Sequence, residues 1–82
     1  MNLELSKIAE KQFRALPKSE AKKVSRKLIL LKETPFTGKK LQGELANQYS
    51  LRAWPYRIIY KVIDSQKLIW VDIIEHRQGV YK

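Results

Sequence analysis

Three short apolar stretches in the second half of the chain, Tyr49–Ala53, Tyr56–Ile63 and Lys67–Ile74, are separated only by Trp54-Pro55 and Asp64-Ser65-Gln66. Their β-branched and aromatic content suits strands. Connections this short force antiparallel hairpins, because a parallel pair needs a crossover of about a dozen residues. The chain is therefore committed to a meander, and the upstream residues must cover one of its faces. Alternation sets Tyr56, Ile58, Tyr60 and Val62 on one face and Arg57, Ile59, Lys61 and Ile63 on the other, while Ser50 and Arg52 oppose Tyr49 and Leu51. The first face is expected under helices, and the arginine-bearing face is expected to form a groove.

Upstream, Asn2 to Leu5 alternates polar and apolar, which predicts a short strand with one buried face. Ser6 stands in the N-cap position of a helix whose apolar stripe is Leu5, Ile8, Ala9, Phe13 and Leu16, with Lys7, Lys11 and Arg14 outside it. Pro17 stops that helix, since it has no amide donor and biases Leu16 out of the helical region. Ser19 is the expected N-cap of a second helix that buries Ala21, Val24, Leu28 and Leu31 and ends at Thr34-Pro35. Pro35 to Asn47, which holds Gly38, Lys39, Lys40 and Gly43, reads as a connection long enough to carry function. The order β-α-α-β-β-β, without repeat or linker, predicts one two-layer α+β domain over residues 1–82.

Length agrees, because 82 residues suffice for one modest core and not for two. The absence of Cys and the single His76 argue against disulfides and against zinc sites built on thiolates or paired imidazoles. The longest apolar runs, Leu28–Leu31 and Leu68–Val71, fall far short of the ~18 residues a membrane span needs. No signal-peptide core is visible, so no membrane partner and a cytoplasmic location are expected. Seventeen Lys and Arg against eight Asp and Glu give a formal charge of +9, which favours encounter with polyanions. The same charge would also serve solubility or an acidic protein partner.

Nucleophilic Cys, paired His, a phosphate-cradling Gly-rich loop and H-E-x-x-H are all missing, which speaks against the usual protease, kinase and metallo-hydrolase chemistries. One reaction remains in which the substrate brings its own nucleophile: attack of an RNA 2′-hydroxyl on the adjacent phosphate. It requires backbone positioning, neutralisation of phosphoryl charge and movement of two protons. Arg52, Arg57 and Arg77 beside Tyr49, Tyr56, Tyr60 and Tyr81 supply guanidinium forks and rings suited to phosphate and bases. Surface ion pairing with Asp64, Asp72 or Glu75 is the plainer reading of those arginines. Lys22, Lys23, Arg26 and Lys27 form a cationic run on the second helix, readable as a solvated face or as a grip on structured RNA. His76 and Tyr81, taken alone, read as structural residues.

Taken in order, Lys40-Leu41-Gln42-Gly43, Tyr49-Ser50-Leu51-Arg52, Tyr56-Arg57-Ile58-Ile59-Tyr60, His76-Arg77 and Val80-Tyr81 resemble the pattern of the RelE/ParE superfamily of toxin–antitoxin toxins. The resemblance spans the whole chain and implies the RelE-like fold. In RelE-type members it implies a metal-independent, cofactor-free endoribonuclease that cuts mRNA in the ribosomal A site and leaves a 2′,3′-cyclic phosphate and a 5′-hydroxyl. By motif position, Arg57 is expected to stabilise the phosphate, Arg77 the leaving group, and Tyr81 to orient substrate or move a proton. Arg52, Lys39, Lys40, Lys61, Lys22, Lys23, Arg26, Lys27, Trp54 and His76 are the expected RNA or ribosome contacts. A cognate antitoxin is the implied protein partner.

Two departures stand out. Ser50 occupies a position where several relatives carry lysine, so a charge role there is lost or moves to Lys61, Lys39 or Lys40. Trp54-Pro55 replaces the Gly-Asp common before Tyr-Arg; Pro55 can open a strand, and Trp54 either stacks on a base or caps the core. ParE-type relatives share the fold but inhibit DNA gyrase without RNA chemistry, which is the alternative reading.

Overall fold

A computed structural model describes residues 1–41 and 47–77. Its elements are β1 (Asn2–Leu5), α1 (Lys7–Arg14), α2 (Lys18–Glu33), β2 (Lys39–Lys40), β3 (Gln48–Ala53), β4 (Tyr56–Ile63), a 3-10 turn (Asp64–Gln66) and β5 (Leu68–His76). The sheet order is β1-β5-β4-β3-β2. The expected two-layer α+β arrangement is present, and the meander β3-β4-β5 is antiparallel throughout. Two strands add to it: β1 joins parallel to β5, which makes the sheet mixed, and Lys39–Lys40 pairs with β3 inside what reads in sequence as a loop.

Ile58, Tyr60, Ile69, Val71 and Ile74 are buried against Ala9, Val24, Leu28 and Leu31. Burial of each large side chain contributes roughly 1.5 to 3 kcal/mol, and this helix-facing layer is the principal core. Strict alternation would put Val71 and Ile74 on opposite faces. They share one because the β4–β5 register slips between Ile59 and Tyr60, leaving Asp72 as the extra residue of a bulge.

Beyond Leu5 the β1 edge ends, and α1 side chains continue the satisfaction of β5. The Ser6 hydroxyl donates to the Asp72 carbonyl at 2.7 Å and accepts from the Ala9 N–H at 3.0 Å; Gln12 Oε1 accepts from the Ile74 N–H at 2.7 Å. Ser6 is thus the N-cap of α1, as expected, and also an anchor to β5.

Several boundaries differ from expectation. The second helix starts at Lys18 with Pro17, not Ser19, as its N-cap: the Pro17 carbonyl already accepts from Ala21 N–H at 2.8 Å, and its missing N–H costs nothing where no acceptor exists. Ile8 is 61% exposed, because α1 meets the sheet along Ala9 and Phe13 and Ile8 lies off that line. Lys67 is not a strand residue: it adopts φ 51°, closing the 3-10 turn, and the strand begins at Leu68. No described helix is long and apolar enough to cross a membrane.

Candidate functional site

The face of the sheet away from the helices carries a row of charges across three strands. Arg52 and Arg57 are direct cross-strand partners on β3 and β4, and Arg57 is in turn paired with Glu75 on β5. Like charges placed opposite one another disfavour the pairing, so the Glu75 carboxylate, 3.3 Å from Arg57 Nε, offsets a local electrostatic cost. Both side chains are about one-quarter to one-third exposed, and the pair itself stabilises by no more than roughly 1 kcal/mol. A guanidinium has several N–H donors, so a contact through Nε leaves the terminal nitrogens for another anion.

Arg77 follows β5 and is positioned by its backbone, whose N–H donates to the Pro55 carbonyl at 3.0 Å. Its guanidinium carbon lies 5.2 Å from the centroid of the Trp54 ring, a cation–π arrangement. Trp54 sits at the β3–β4 hairpin tip, 57% exposed, so it does not cap the core. Arg52, Arg57, Arg77 and Lys39 line one depression of about 420 Å³ together with Trp54 and Ser50. The arginines that the sequence scatters over 26 positions thus share one groove.

Lys39 enters that groove because β2 places it directly across from Ser50. Of the three lysines to which a charge role beside Ser50 is expected to move, Lys39 is therefore the one placed next to it. Lys40 and Lys61 line a different depression, with Phe36 and Tyr49. The segment bearing Lys39 is pinned from behind: the Tyr60 hydroxyl donates to the Pro35 carbonyl at 2.9 Å and accepts from the Gly38 N–H at 3.0 Å. A Cβ on Gly38 would lie 2.6 Å from that hydroxyl and 3.0 Å from the Ser50 carbonyl oxygen, so only glycine fits. Tyr60 stacks on Tyr49 at 5.4 Å, and burial, the largest influence, pushes its hydroxyl above the ordinary value of 10.0.

The remaining predicted contacts separate. Lys23, Arg26 and Lys27 border a second depression with Arg52 and Trp54, whereas Lys22 is exposed elsewhere on α2. His76 pairs with Tyr56 on the helix-facing side, their rings 5.1 Å apart edge to face, and lines a depression with Gln12 and Leu16. It is not brought into the arginine groove. Tyr81, Val80, Gln42 and Gly43 lie outside the described residues. In the sequence Glu75 is only one of three possible surface partners for the arginines, and nothing marks Tyr60 as the peg behind Lys39 except a Gly ahead of two lysines.

A family model described as the ParE toxin of type II toxin–antitoxin systems matches residues 3–81. The chain belongs to that family, within the RelE/ParE superfamily. This toxin is 31% identical to the putative toxin RelE1 of Methanocaldococcus jannaschii over 86 aligned positions, covering 99% of the chain and 94% of that protein. It is 32% identical to toxin RelG of Mycobacterium tuberculosis over 53 residues, 65% of the chain and 61% of the relative. Among solved structures, the toxin–antitoxin complex RelBE2 of M. tuberculosis matches with a TM-score of 0.84 and 26% identity over 93% of this chain and 96% of that one. Isolated E. coli RelE matches with a TM-score of 0.80 and 26% identity over 98% and 95%. The RelE-like fold of the toxin, and its membership of a toxin–antitoxin system, rest on these likenesses together.

Proposed function

We propose that this toxin is a ribosome-dependent mRNA endoribonuclease acting in the A site. The observation that carries the reading is the convergence of Arg52, Arg57, Arg77 and Lys39 on one groove beside an exposed indole. The substrate's 2′-oxygen attacks the adjacent phosphorus, the 2′-proton is lost, the bond to the 5′-oxygen breaks and that oxygen gains a proton. A 2′,3′-cyclic phosphate and a 5′-hydroxyl result. Arg57 and Arg77 neutralise charge that grows on the phosphoryl and leaving oxygens, and guanidinium forks suit that task. In this scheme charge neutralisation comes from side chains, without a metal or other cofactor. Arg52 and Lys39 hold the flanking backbone, and Tyr81 orients the substrate or transfers a proton. The site of action is the cytoplasm, where ribosome and mRNA supply the orientation that an open groove lacks.

The protein partner in this reading is a cognate antitoxin, supported by structural neighbours that are toxin–antitoxin complexes. A +9 chain favours an acidic, helical or extended segment as that inhibitor. Primer extension on mRNA translated with and without the toxin tests the proposal: new 5′ ends within codons support it, and their absence removes it. The ParE description of the matching family keeps one alternative in the same experiment, inhibition of DNA gyrase without RNA cleavage. Loss of supercoiling activity by purified gyrase, with intact mRNA, would establish that reading instead.

A further inference from the structure

The hairpin tip that carries Trp54 separates two cationic depressions. One is the arginine groove. The other, also about 420 Å³, lies between α2 and the end of β3 and is lined by Lys23, Arg26, Lys27, Arg52, Ala53 and Trp54. Arg52 and Trp54 border both, whereas Arg77 borders only the groove. The indole thus carries Arg77 over its ring in the groove and also borders the second depression.

We propose that this second depression is a nucleotide subsite for single-stranded RNA. It takes the nucleotide next to those held in the groove, stacks its base on Trp54 and holds its phosphate between Arg26, Lys27 and Arg52. The proposal rests on the nuclease reading, which brings a single strand into the groove. An aromatic face beside a cationic track is the physical recipe for a single strand, because every base offers a π-face and every linkage a charge. Among the described residues the lining contains no carboxylate; Lys23 is partly engaged by Glu20 at 3.5 Å, which leaves the main role to the other cations. Arg52, placed on the border, gives the backbone a continuous passage from one depression to the other.

The test uses 2′-O-methyl oligoribonucleotides, which lack the attacking hydroxyl, in a series from dinucleotide to pentanucleotide. They are titrated into a Trp70→Phe background, in which Trp54 is the sole tryptophan. Expected are quenching of Trp54 fluorescence and a step of roughly tenfold or more in affinity once the oligomer reaches across the tip. Arg26→Gln with Lys27→Gln removes the step and leaves dinucleotide binding; with affinity read by calorimetry, Trp54→Phe keeps most of the step and Trp54→Ala loses it. Affinity that rises without a step, an Arg26→Gln/Lys27→Gln variant that binds every length like the parent, or no binding by the parent at low salt overturns the subsite. Ribosomal cleavage by the parent is measured alongside. Cleavage without a Trp54 response removes the subsite alone, whereas the affinity step without cleavage removes the nuclease reading alone.

Discussion

Arg52 and Arg57 stand directly opposite each other on β3 and β4, two cations in register on the same open face. Such a pairing works against the fold, so Arg52→Gln should stabilise the protein, by up to about 1 kcal/mol, and weaken RNA cleavage. Urea denaturation midpoints read beside cleavage rates check this. A variant that is both less stable and fully active would contradict it.

Arg57, on β4, and Arg77, just past β5, approach the groove from different segments and are expected to act mainly in the transition state. Alanine at either should lower single-turnover cleavage on ribosomes by roughly 10²-fold or more, with ribosome binding little changed. Tyr81→Phe keeps the ring and removes the hydroxyl: a slowed Phe variant assigns proton transfer or hydrogen-bonded positioning, and loss only in Tyr81→Ala assigns stacking. Parent-like rates in folded Arg57→Ala and Arg77→Ala would sink the mechanism.

Among the described residues Lys39, opposite Ser50, is the lysine that lines the groove. Lys39→Gln should reduce cleavage more than Lys40→Gln or Lys61→Gln, and should lower the log–log salt slope of RNA binding by roughly 0.7 to 0.9 if it contacts one phosphate. Equal effects of the three substitutions would mean that position in the groove does not matter.

Tyr60→Phe removes the bond to Pro35 and leaves the Gly38 N–H without its acceptor, at a cost of about 1 to 3 kcal/mol. Gly38→Ala should destabilise similarly by forcing the segment off the sheet. Chemical denaturation measures both, and Lys39-dependent cleavage should fall with them.

The same hydroxyl predicts an alkaline limit. Burial raises the Tyr60 value above 10.0, the Gly38 N–H partly opposes this, and Tyr49 adds to it. Between its unfolded and folded values the native state binds the extra proton, so this contribution is complete below about pH 10 and is lost as pH rises through the folded value. Stability measured upward from that pH should fall more steeply in the parent than in Tyr60→Phe.

Local chemistry, written in neighbouring residues, determined much of this toxin. Two- and three-residue connections allowed only a meander, Ser6 could cap only the helix after it, and Val24, Leu28 and Leu31 could face only inward. The ordered Tyr-Arg motifs pointed to the superfamily that the comparisons show. What the tertiary structure decided are relations between residues that are distant in sequence. The bulge at Asp72 reverses strand parity and lets Val71 and Ile74 share the core. Registry places His76 with Tyr56 on the helix side, away from Arg57, and β2 puts Lys39, not Lys40 or Lys61, into the groove. Trp54 had two readings in sequence, and its exposed position at the tip between two cationic depressions rules out the core cap. Periodicity within a segment follows from backbone geometry alone, but which segments meet, and in which register, depends on packing and hydrogen bonds that no single stretch contains.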